Sequence, residues 1–185
     1  MSEVKLGLGR AAGMAYTAPA GTALPSTSLD TIPDTWKIIG DVSSDGITLT
    51  TDKSVEKIKN WANVIKRVIM TDHEESVSVP LIDTTEDVFK ALVGAGNVTK
   101  NQGVVTVNLS DNALPAPAAY MFVMKDGDDM IIVGCSEGQI TTIENTSFQP
   151  GGAITWTTSI VAQGEGMKLI MEEGDVNSTS VYDYD

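Results

Sequence analysis

Short strand-forming segments separated by turn residues fill the chain from Trp36 onward, and this pattern restricts the fold more than any other feature. Segments that alternate apolar and polar residues predict half-buried strands, and many of them in succession are typical of a sandwich or barrel. We therefore predict a mainly β fold, an antiparallel β-sandwich or partial barrel with one flanking α-helix. The length of 185 residues suits one core.

Composition divides the chain into three predicted parts. Residues 1–35 are predicted to form an extended N-terminal arm with at most one short strand, because Ala, Gly, Ser, Thr and Pro dominate this region. Residues 36–172 are predicted to form the β-sandwich core. Residues 173–185 are predicted to form an acidic C-terminal tail that is flexible or ordered by a partner.

A first hairpin is predicted from residues 36–41 and 47–51. The turn between them spans residues 43–46, where Gly46 supplies the positive φ that a tight turn requires.

A second pair of strands is predicted at residues 64–70 and 76–82. The acidic segment 71–75 is interpreted as the turn between them. Pro80 has no N–H to donate, so its strand is predicted to be edge-like or irregular at that point.

The helix is predicted at residues 84–93, preceded by Asp83 as its N-cap with Glu86 three residues later. Gly94 supplies the stop signal. The apolar stripe that this helix would bury against a sheet consists of Val88, Phe89, Leu92 and Val93.

After a loop rich in Gly, Asn and Lys, the rest of the core predicts a series of strands. The strongest hairpin signal pairs residues 118–125 with 130–135 across Asp126-Gly127-Asp128. Further strands are predicted at 104–109, 140–144, 154–162 and 167–172.

Catalytic chemistry has few candidate residues. His73 is the single histidine and Cys135 the single cysteine, so a nucleophile has one possible imidazole base. A dyad of these two is the functional alternative, but the Val-Gly-Cys-Ser context of Cys135 favours a buried small residue. We predict that the protein is not an enzyme.

With one cysteine the chain forms no internal disulfide, which fits a reducing cytosol.

Metal and nucleotide sites are also weakly indicated. Asp126, Asp128 and Asp129 could bind a hard cation, but apolar residues follow where an EF-hand needs further ligands, so a hairpin turn is the better interpretation. The Gly7-Leu8-Gly9 segment lacks the third glycine of a dinucleotide loop. No metal and no cofactor is predicted.

Charge and hydropathy restrict the partners. The formal net charge of −13 opposes conventional nucleic-acid binding, because phosphate is repelled. The apolar runs have the length of strands, so no membrane segment is predicted. The N-terminal residues do not resemble a secretory signal.

Several predicted strands carry short, uncharged polar residues on one face. A smooth face of this kind could line a channel or pack on another subunit, although the ordinary preference of Thr for strands also explains much of it. The residues concerned are Thr48, Thr50, Ser76, Ser78, Thr106, Asn108, Thr155, Thr157 and Ser159.

Three tryptophans are candidates for packing or for binding. Trp156 alternates with Ile154 and Ile160, which predicts a core position. For Trp36 and Trp61 packing and an interface remain open. If either is exposed, the alternative function is a stand-alone β-sandwich binding module, for example a glycan-binding one.

The ordered features between Met14 and Gly94 resemble the major tail tube protein of siphophages. The resemblance rests on four segments in the family's order, together with the strands predicted at 64–70 and 76–82: YTAPAGTALP at 16–25, IIGDVSSDGIT at 38–48, EKIKNW at 56–61 and DTTEDVFKALVG at 83–94. A little under half of the chain carries it.

The resemblance implies a structural subunit that self-assembles into hexameric rings, which stack as the tail tube and form the conduit for DNA ejection. The implied partners are further copies of the chain, together with tape measure and tail terminator or baseplate proteins. DNA would pass through the lumen without specific binding. The implied location is the virion tail, assembled in the cytoplasm of the bacterial host.

The resemblance also implies roles for particular residues. The segment from Asp52 to Asn63 would be a long loop that reaches the neighbouring ring, and the N-terminal arm and acidic tail would contact adjacent subunits. Candidates for carboxylates that face DNA in the lumen are Asp72, Glu74, Glu75, Asp126, Asp128 and Asp129. Candidates for contacts between rings or subunits are Trp36, Lys57, Lys59 and Trp61.

Overall fold

A computed structural model describes residues 8–9, 15–26, 32–110, 113–126, 129–144, 146, 148 and 151–172. Its one α-helix within these residues is α1 (Glu86–Val93), followed by a short 3-10 helix (Ala95–Asn97). The strands are β1 (Leu8–Gly9), β2 (Ala15–Pro19), β3 (Lys37–Gly40), β4 (Thr48–Lys59), β5 (Ile65–Leu81), β6 (Val98–Asn101), β7 (Val104–Val107), β8 (Ala118–Asp126), β9 (Asp129–Ile143), β10 (Trp156–Ala162) and β11 (Lys168–Glu172).

Nine of these strands form one antiparallel sheet. Its order is β3-β2-β8-β9-β10-β5-β4, with β1 also paired to β8 and β11 also paired to β9. Strands β6 and β7 form a separate two-stranded sheet. The prediction of a mainly β, antiparallel fold with one flanking helix is confirmed.

The large sheet curls until its two ends almost meet, without closing into a barrel. Immediately after β3, Val42 forms a bridge with Leu81 of β5. The backbone N–H of Ser43 donates to the carbonyl of Pro80 at 2.8 Å, and that of Ile82 donates to the carbonyl of Asp41 at 3.0 Å. Pairing of β5 with β4 starts at Ser78, so residues 80–82 lie beyond the first residue of β4. Pro80 fits there because it contributes only its carbonyl to the bond with Ser43.

The curled sheet encloses a core that α1 completes. This core is built from strand residues of both halves of the sheet and from the apolar stripe of the helix. A second apolar cluster, on the opposite face of β2, β8 and β9, contains Trp36, Met121 and Ile132. The first cluster contains Ala15, Ile39, Val42, Val77, Val79, Leu81, Val88, Leu92, Tyr120, Phe122, Cys135, Ile140 and Ile160.

The helix begins and ends close to the predicted positions. Its N-cap is Thr85, whose hydroxyl accepts a hydrogen bond from the Val88 N–H, so the prediction that Asp83 caps it is wrong. Asp83 instead accepts a hydrogen bond from the backbone N–H of Asp41 at 2.8 Å and ties the helix approach to β3. Gly94, at φ 85°, ends the helix as predicted.

The first predicted hairpin is wrong in its pairing. The turn at residues 43–46 forms, with the Gly46 N–H donating to the Ser43 carbonyl at 3.0 Å and Gly46 at φ 72°. However, β3 pairs with β2, and β4 pairs with β5. The prediction of at most one short strand in the arm is wrong, because β1 and β2 both pair within the sheet and β2 lies between β3 and β8. After β3, the turn leads the chain to β4, at the other end of the sheet.

The second predicted pair is also wrong. Residues 71–75 lie inside the single long strand β5, and β5 pairs along its length with β4. The true turn is at residues 60–64, where Asn63 adopts φ 60°. Asparagine tolerates this left-handed conformation, whereas the acidic segment continues the strand.

The second half of the chain fits the predictions with two corrections. The hairpin of β8 and β9 is confirmed, with Lys125 paired to Met130, and β10 and β11 match the strands predicted at 154–162 and 167–172. The predicted loop contains β6, joined to β7 through Gln102 and Gly103, both at positive φ. The strand predicted at 140–144 is the continuation of β9.

Candidate functional site

A face rich in hydroxyl groups crosses four neighbouring strands. Residues that lie directly opposite each other in an antiparallel pair share a face, as do residues two apart along a strand. One row in register consists of Thr48 on β4, Ser78 on β5, Ser159 on β10 and Thr142 on β9. The pairing of Thr50 with Ser76 adds a second row. The face is therefore short-chained, polar and uncharged, as predicted for Thr48, Thr50, Ser76, Ser78 and Ser159, whereas Thr106 lies on β7 in the separate sheet and Asn108 follows that strand.

Carboxylates continue this hydroxyl face along the β4–β5 hairpin. Asp52 lies opposite Glu74, and Ser54 lies opposite Asp72, in the same alternation as Thr48 and Thr50. All four side chains are exposed. The structure thus brings the predicted residues Asp72 and Glu74 together on one face.

Sequence reasoning missed Asp52 and Glu56 as members of this acidic face. Glu56 follows Ser54 at the next alternate position of β4. The polar residues at alternate positions 48, 50, 52, 54 and 56 indicate one face of a strand. They were not recognised because residues 52–63 were interpreted as a loop.

Glu75 lies on the opposite face from Asp72 and Glu74. Its Oε2 accepts a hydrogen bond from the Met167 N–H at 2.5 Å, and its Oε1 lies 3.1 Å from Nε2 of His73. The carboxylate therefore joins β5 to the segment that enters β11. In this chain it is a structural contact on the core side of the hairpin.

The second predicted acidic group lies elsewhere. Asp126 ends β8 and pairs with Asp129, which begins β9, while Asp128 is outside the described residues. Within the described part of the chain no group of three or more His, Cys, Asp or Glu side chains is arranged to hold a metal ion.

The face of the β4–β5 hairpin that continues from the core residue Val77 is basic and apolar from residue 53 to the tip. Lys53, Val55, Lys57 and Lys59 alternate along β4 on this face. Val55 is paired with Met70, and Lys57 with Val68. All of these side chains are exposed. Up to Ser54 the other side of the hairpin is acidic, whereas beyond the register shift that follows Ser54 it carries Glu56 and also Arg67, which lies opposite Ile58.

The tryptophans occupy three different environments. Trp36 is 5% exposed and belongs to the second apolar cluster, so packing explains it. Trp61 has a relative exposure of 107% at the tip of the hairpin. Trp156 is half-buried, packs edge-on against Phe89 with ring centroids 4.9 Å apart, and donates from Nε1 to the Thr84 hydroxyl at 3.2 Å. Lys57 and Lys59 share the hairpin with Trp61, whereas Trp36 is separate.

An aromatic pocket of about 480 Å³ lies beside the C-terminal half of α1. Phe89 and Trp156 form one wall, and Phe148 packs edge-on against Trp156 with centroids 5.9 Å apart. Leu114 and Phe148 are exposed at the pocket. The charged residue among its described lining is Glu144.

The candidate catalytic residues are held apart by their surroundings. Cys135 packs in the core, and burial raises the pKa of its thiol to about 11. His73 lies on the hairpin, where its Nδ1 is 3.3 Å from the Asp52 carbonyl and its Nε2 contacts Glu75. Because the thiol is neutral near pH 7 and the imidazole faces other groups, this geometry offers no activated nucleophile.

The described residues contain no helix of sufficient length and apolar character to cross a membrane.

The fold and these surfaces define a mainly β protein with an exposed apolar hairpin, a feature typical of proteins that associate.

The chain belongs to the phage tail tube protein family, whose family model matches residues 9–173. It is therefore a structural component of the virion tail, and membership implies association with itself in that tail. No individual curated protein matches the sequence.

Proposed function

We propose that this protein assembles into hexameric rings, that the rings stack as the tail tube, and that the lumen is the conduit for DNA ejection. The observation that carries the proposal is the continuous face from the Thr48–Ser78 row to Asp52, Asp72 and Glu74. Short hydroxyl side chains leave a smooth wall, and carboxylates repel DNA phosphate at close range.

The free edges of the sheet support ring formation. β3 and β4 are the terminal strands of the main path of the sheet, and an exposed edge presents unpaired N–H and C=O groups. Pairing of an edge on one copy with an edge on the next would extend the hydroxyl face around a closed ring. Closure removes these edges from solvent and so protects the tube from unspecific aggregation.

The same proposal assigns the remaining contacts. The hairpin of β4 and β5 is the element that reaches a neighbouring copy or ring, with Lys57, Lys59 and Trp61 as contact residues. The parts of the arm outside β1 and β2, and the tail after residue 172, are proposed to contact adjacent subunits, since β1 and β2 pair within the chain's own sheet. Tape measure and tail terminator or baseplate proteins are the proposed partners at the lumen and at the ends of the tube, and assembly takes place in the host cytoplasm.

Electron microscopy of the purified protein tests the assembly. Stacked rings or hollow tubes are expected, and six-fold averages should be obtained from end views. A protein that remains monomeric at high concentration and binds glycans would contradict the proposal and favour a stand-alone binding module.

The lumen assignment is tested in phage that carry the double variant Asp72→Lys and Glu74→Lys. Tubes are expected to assemble while DNA ejection slows, because two lysines on each copy would bind the passing phosphates. The matched control is Asp34→Lys with Asp45→Lys, the same charge change at exposed positions outside the strands of the hydroxyl face. Equal ejection by the two double variants would contradict the lumen assignment.

A separate variant pair addresses the β8–β9 turn. Charge reversal at Asp126 and Asp128 tests whether this second acidic group also faces DNA. Slowed ejection with normal tubes would place the turn at the lumen, and normal ejection would remove it from the lumen set.

A further inference from the structure

The tip of the β4–β5 hairpin is an ordered turn that presents one large apolar side chain. The Asn60 N–H donates to the Val64 carbonyl at 3.0 Å, and the Val64 N–H donates to Oδ1 of Asn60 at 2.9 Å. The Asn63 N–H also donates to the Asn60 carbonyl at 2.8 Å. Trp61 therefore projects from a backbone that is already fixed. A tryptophan held in this way binds with little further loss of backbone entropy and is a typical interface anchor.

The hairpin carries this side chain well away from the body of its own chain. Every residue of β4 is exposed. At about 3.3 Å per residue, the nine steps from Asp52 to Trp61 span roughly 30 Å. No described residue of the same chain covers Trp61, which is fully exposed, so its indole is available to a second molecule.

Charge indicates which molecule that is. Residues 53–70 contain five bases and one acid, a net charge of +4, in a chain whose formal net charge is −13. The rest of the chain therefore carries −17, so a second copy attracts the distal hairpin. A basic segment also binds nucleic acid, but Lys53, Lys57 and Lys59 lie on the face opposite Asp52 and Glu56, and Arg67, paired with Ile58, lies on the side of Glu56.

The aromatic pocket matches the tip in shape and charge. Its volume of about 480 Å³ lies in the range of roughly 300–1,000 Å³ that is usual for ligand pockets, which leaves room for an indole. Phe89, Phe148 and Trp156 offer ring edges and faces for contact with another aromatic ring. Glu144 supplies a carboxylate for a lysine that accompanies the indole.

We propose that Trp61 of one copy inserts into the pocket between Phe89, Phe148 and Trp156 of a second copy, with Lys59 approaching Glu144. The inference rests on the proposed assembly and names the contact by which one copy engages the next. Burial of the indole supplies the affinity, and the charge pair selects the orientation.

A disulfide-trapping experiment tests this contact. One preparation carries Ala62→Cys at the tip, and the other carries Leu114→Cys at the pocket. The matched control for the second is Leu169→Cys, because Leu114 and Leu169 are 54% and 55% exposed and Leu169 does not line the pocket. Cys135 does not compete, since it is buried.

Mixed preparations are oxidised under assembly conditions and examined on a non-reducing gel. The Ala62→Cys and Leu114→Cys mixture is expected to give several-fold more disulfide-linked dimer than the Ala62→Cys and Leu169→Cys mixture. Equal yields of the two dimers would overturn the proposed contact.

A second measurement does not depend on introduced cysteines. Trp61→Ala is expected to reduce tube formation several-fold, whereas Val64→Ala, which truncates another exposed apolar residue at the tip, should have a much smaller effect. Two results would overturn the pocket contact while the proposed function stands, provided that the wild-type protein forms tubes. One is equal dimer yield from the two cysteine mixtures, and the other is normal tube formation by Trp61→Ala. A wild-type protein that forms no rings would contradict the proposed function and, with it, this inference.

Discussion

Asp52 lies directly opposite Glu74 in the register of β4 and β5, so two carboxylates share one position on the exposed face of the hairpin. Like charges in directly opposed positions destabilise an antiparallel pair. The arrangement therefore costs some folding stability, and the proposed lumen function gives a reason for this cost.

Replacement of one of these carboxylates should separate stability from function. Glu74→Gln is expected to raise the free energy of unfolding by a few tenths of a kcal/mol, because it removes the repulsion from Asp52. Urea denaturation measures the change. Ser76→Ala, a small substitution on the same face without a charge change, is the control. If Glu74→Gln is less stable than the wild type, the carboxylates are not in repulsive contact.

Glu75 should behave in the opposite way to its neighbour Glu74. Glu75→Ala removes the acceptor of the Met167 N–H and is expected to lower the free energy of unfolding by roughly 1.5–3 kcal/mol, as for a hydrogen bond to a charged group. Glu74→Ala is the matched control, one residue away on the exposed opposite face. Equal stability of the two variants in urea denaturation would show that the Met167 contact contributes nothing.

Gly134 allows β8 and β9 to approach closely. A Cβ at this position would lie 2.5 Å from the Tyr120 carbonyl oxygen and 3.2 Å from the Met121 Cα, both of which are backbone atoms. Gly134→Ala is therefore expected to lower the unfolding free energy by about 1–3 kcal/mol or more. Gly96→Ala is the control, since its Cβ would meet nothing within 4 Å. A thermal melt of Gly134→Ala that matches the wild type would contradict the close approach.

Alkaline pH should destabilise the protein through two buried groups. Burial raises the pKa of the Cys135 thiol from 9.0 to about 11. Burial, with a smaller contribution from Cys135, raises the pKa of the Tyr120 hydroxyl from 10.0 to about 12. The unfolded chain releases these protons first, so stability is constant below about pH 9 and falls as pH rises through the folded pKa values.

The size of this effect is measurable for the thiol. A shift of two pKa units corresponds to about 3 kcal/mol once the pH exceeds the folded pKa, so about pH 10.5 shows a large part of it, and Cys135→Ala should remove that part of the pH dependence. The measurement is urea denaturation at about pH 7.5 and about pH 10.5. A loss of stability that is the same in the wild type and in Cys135→Ala would rule out the thiol as its source.

Local elements were predictable wherever a short segment carried its own signal. The apolar stripe and Gly94 defined the helix, and the residues from 118 to 135 predicted the β8–β9 hairpin. The cap prediction failed because the Asp83 carboxylate has a competing donor, the Asp41 N–H, which comes from a distant part of the sequence.

Strand pairing was the least predictable part. The turn at Gly46 was correct in conformation, yet the strands on either side of it belong to opposite ends of the sheet. A turn determines the direction of the next few residues, whereas pairing depends on which strand supplies hydrogen bonds over its whole length. Residues 71–75 were also misinterpreted. An exposed strand tolerates charged residues, so its sequence can resemble that of a turn.

For the candidate surface residues, the sequence predicted the residue types and the structure gave their positions. Asp72, Glu74, Lys57, Lys59 and Trp61 were recognised as residue types suited to their proposed roles. The placement of Asp72 and Glu74 on one face, and of Glu75, Lys57 and Lys59 on the other, followed only once the β4–β5 register was known.

The sequence alone determined a mainly β fold with one helix, the positions of most strands, and the absence of recognisable catalytic or metal-binding motifs. These properties depend on composition and on periodicity within about ten residues, which the sequence displays directly. The tertiary structure decided the order of the strands, the projection of the β4–β5 hairpin and which of its charged residues share a face. These depend on contacts between distant residues, and a shift of one residue in register would exchange the faces.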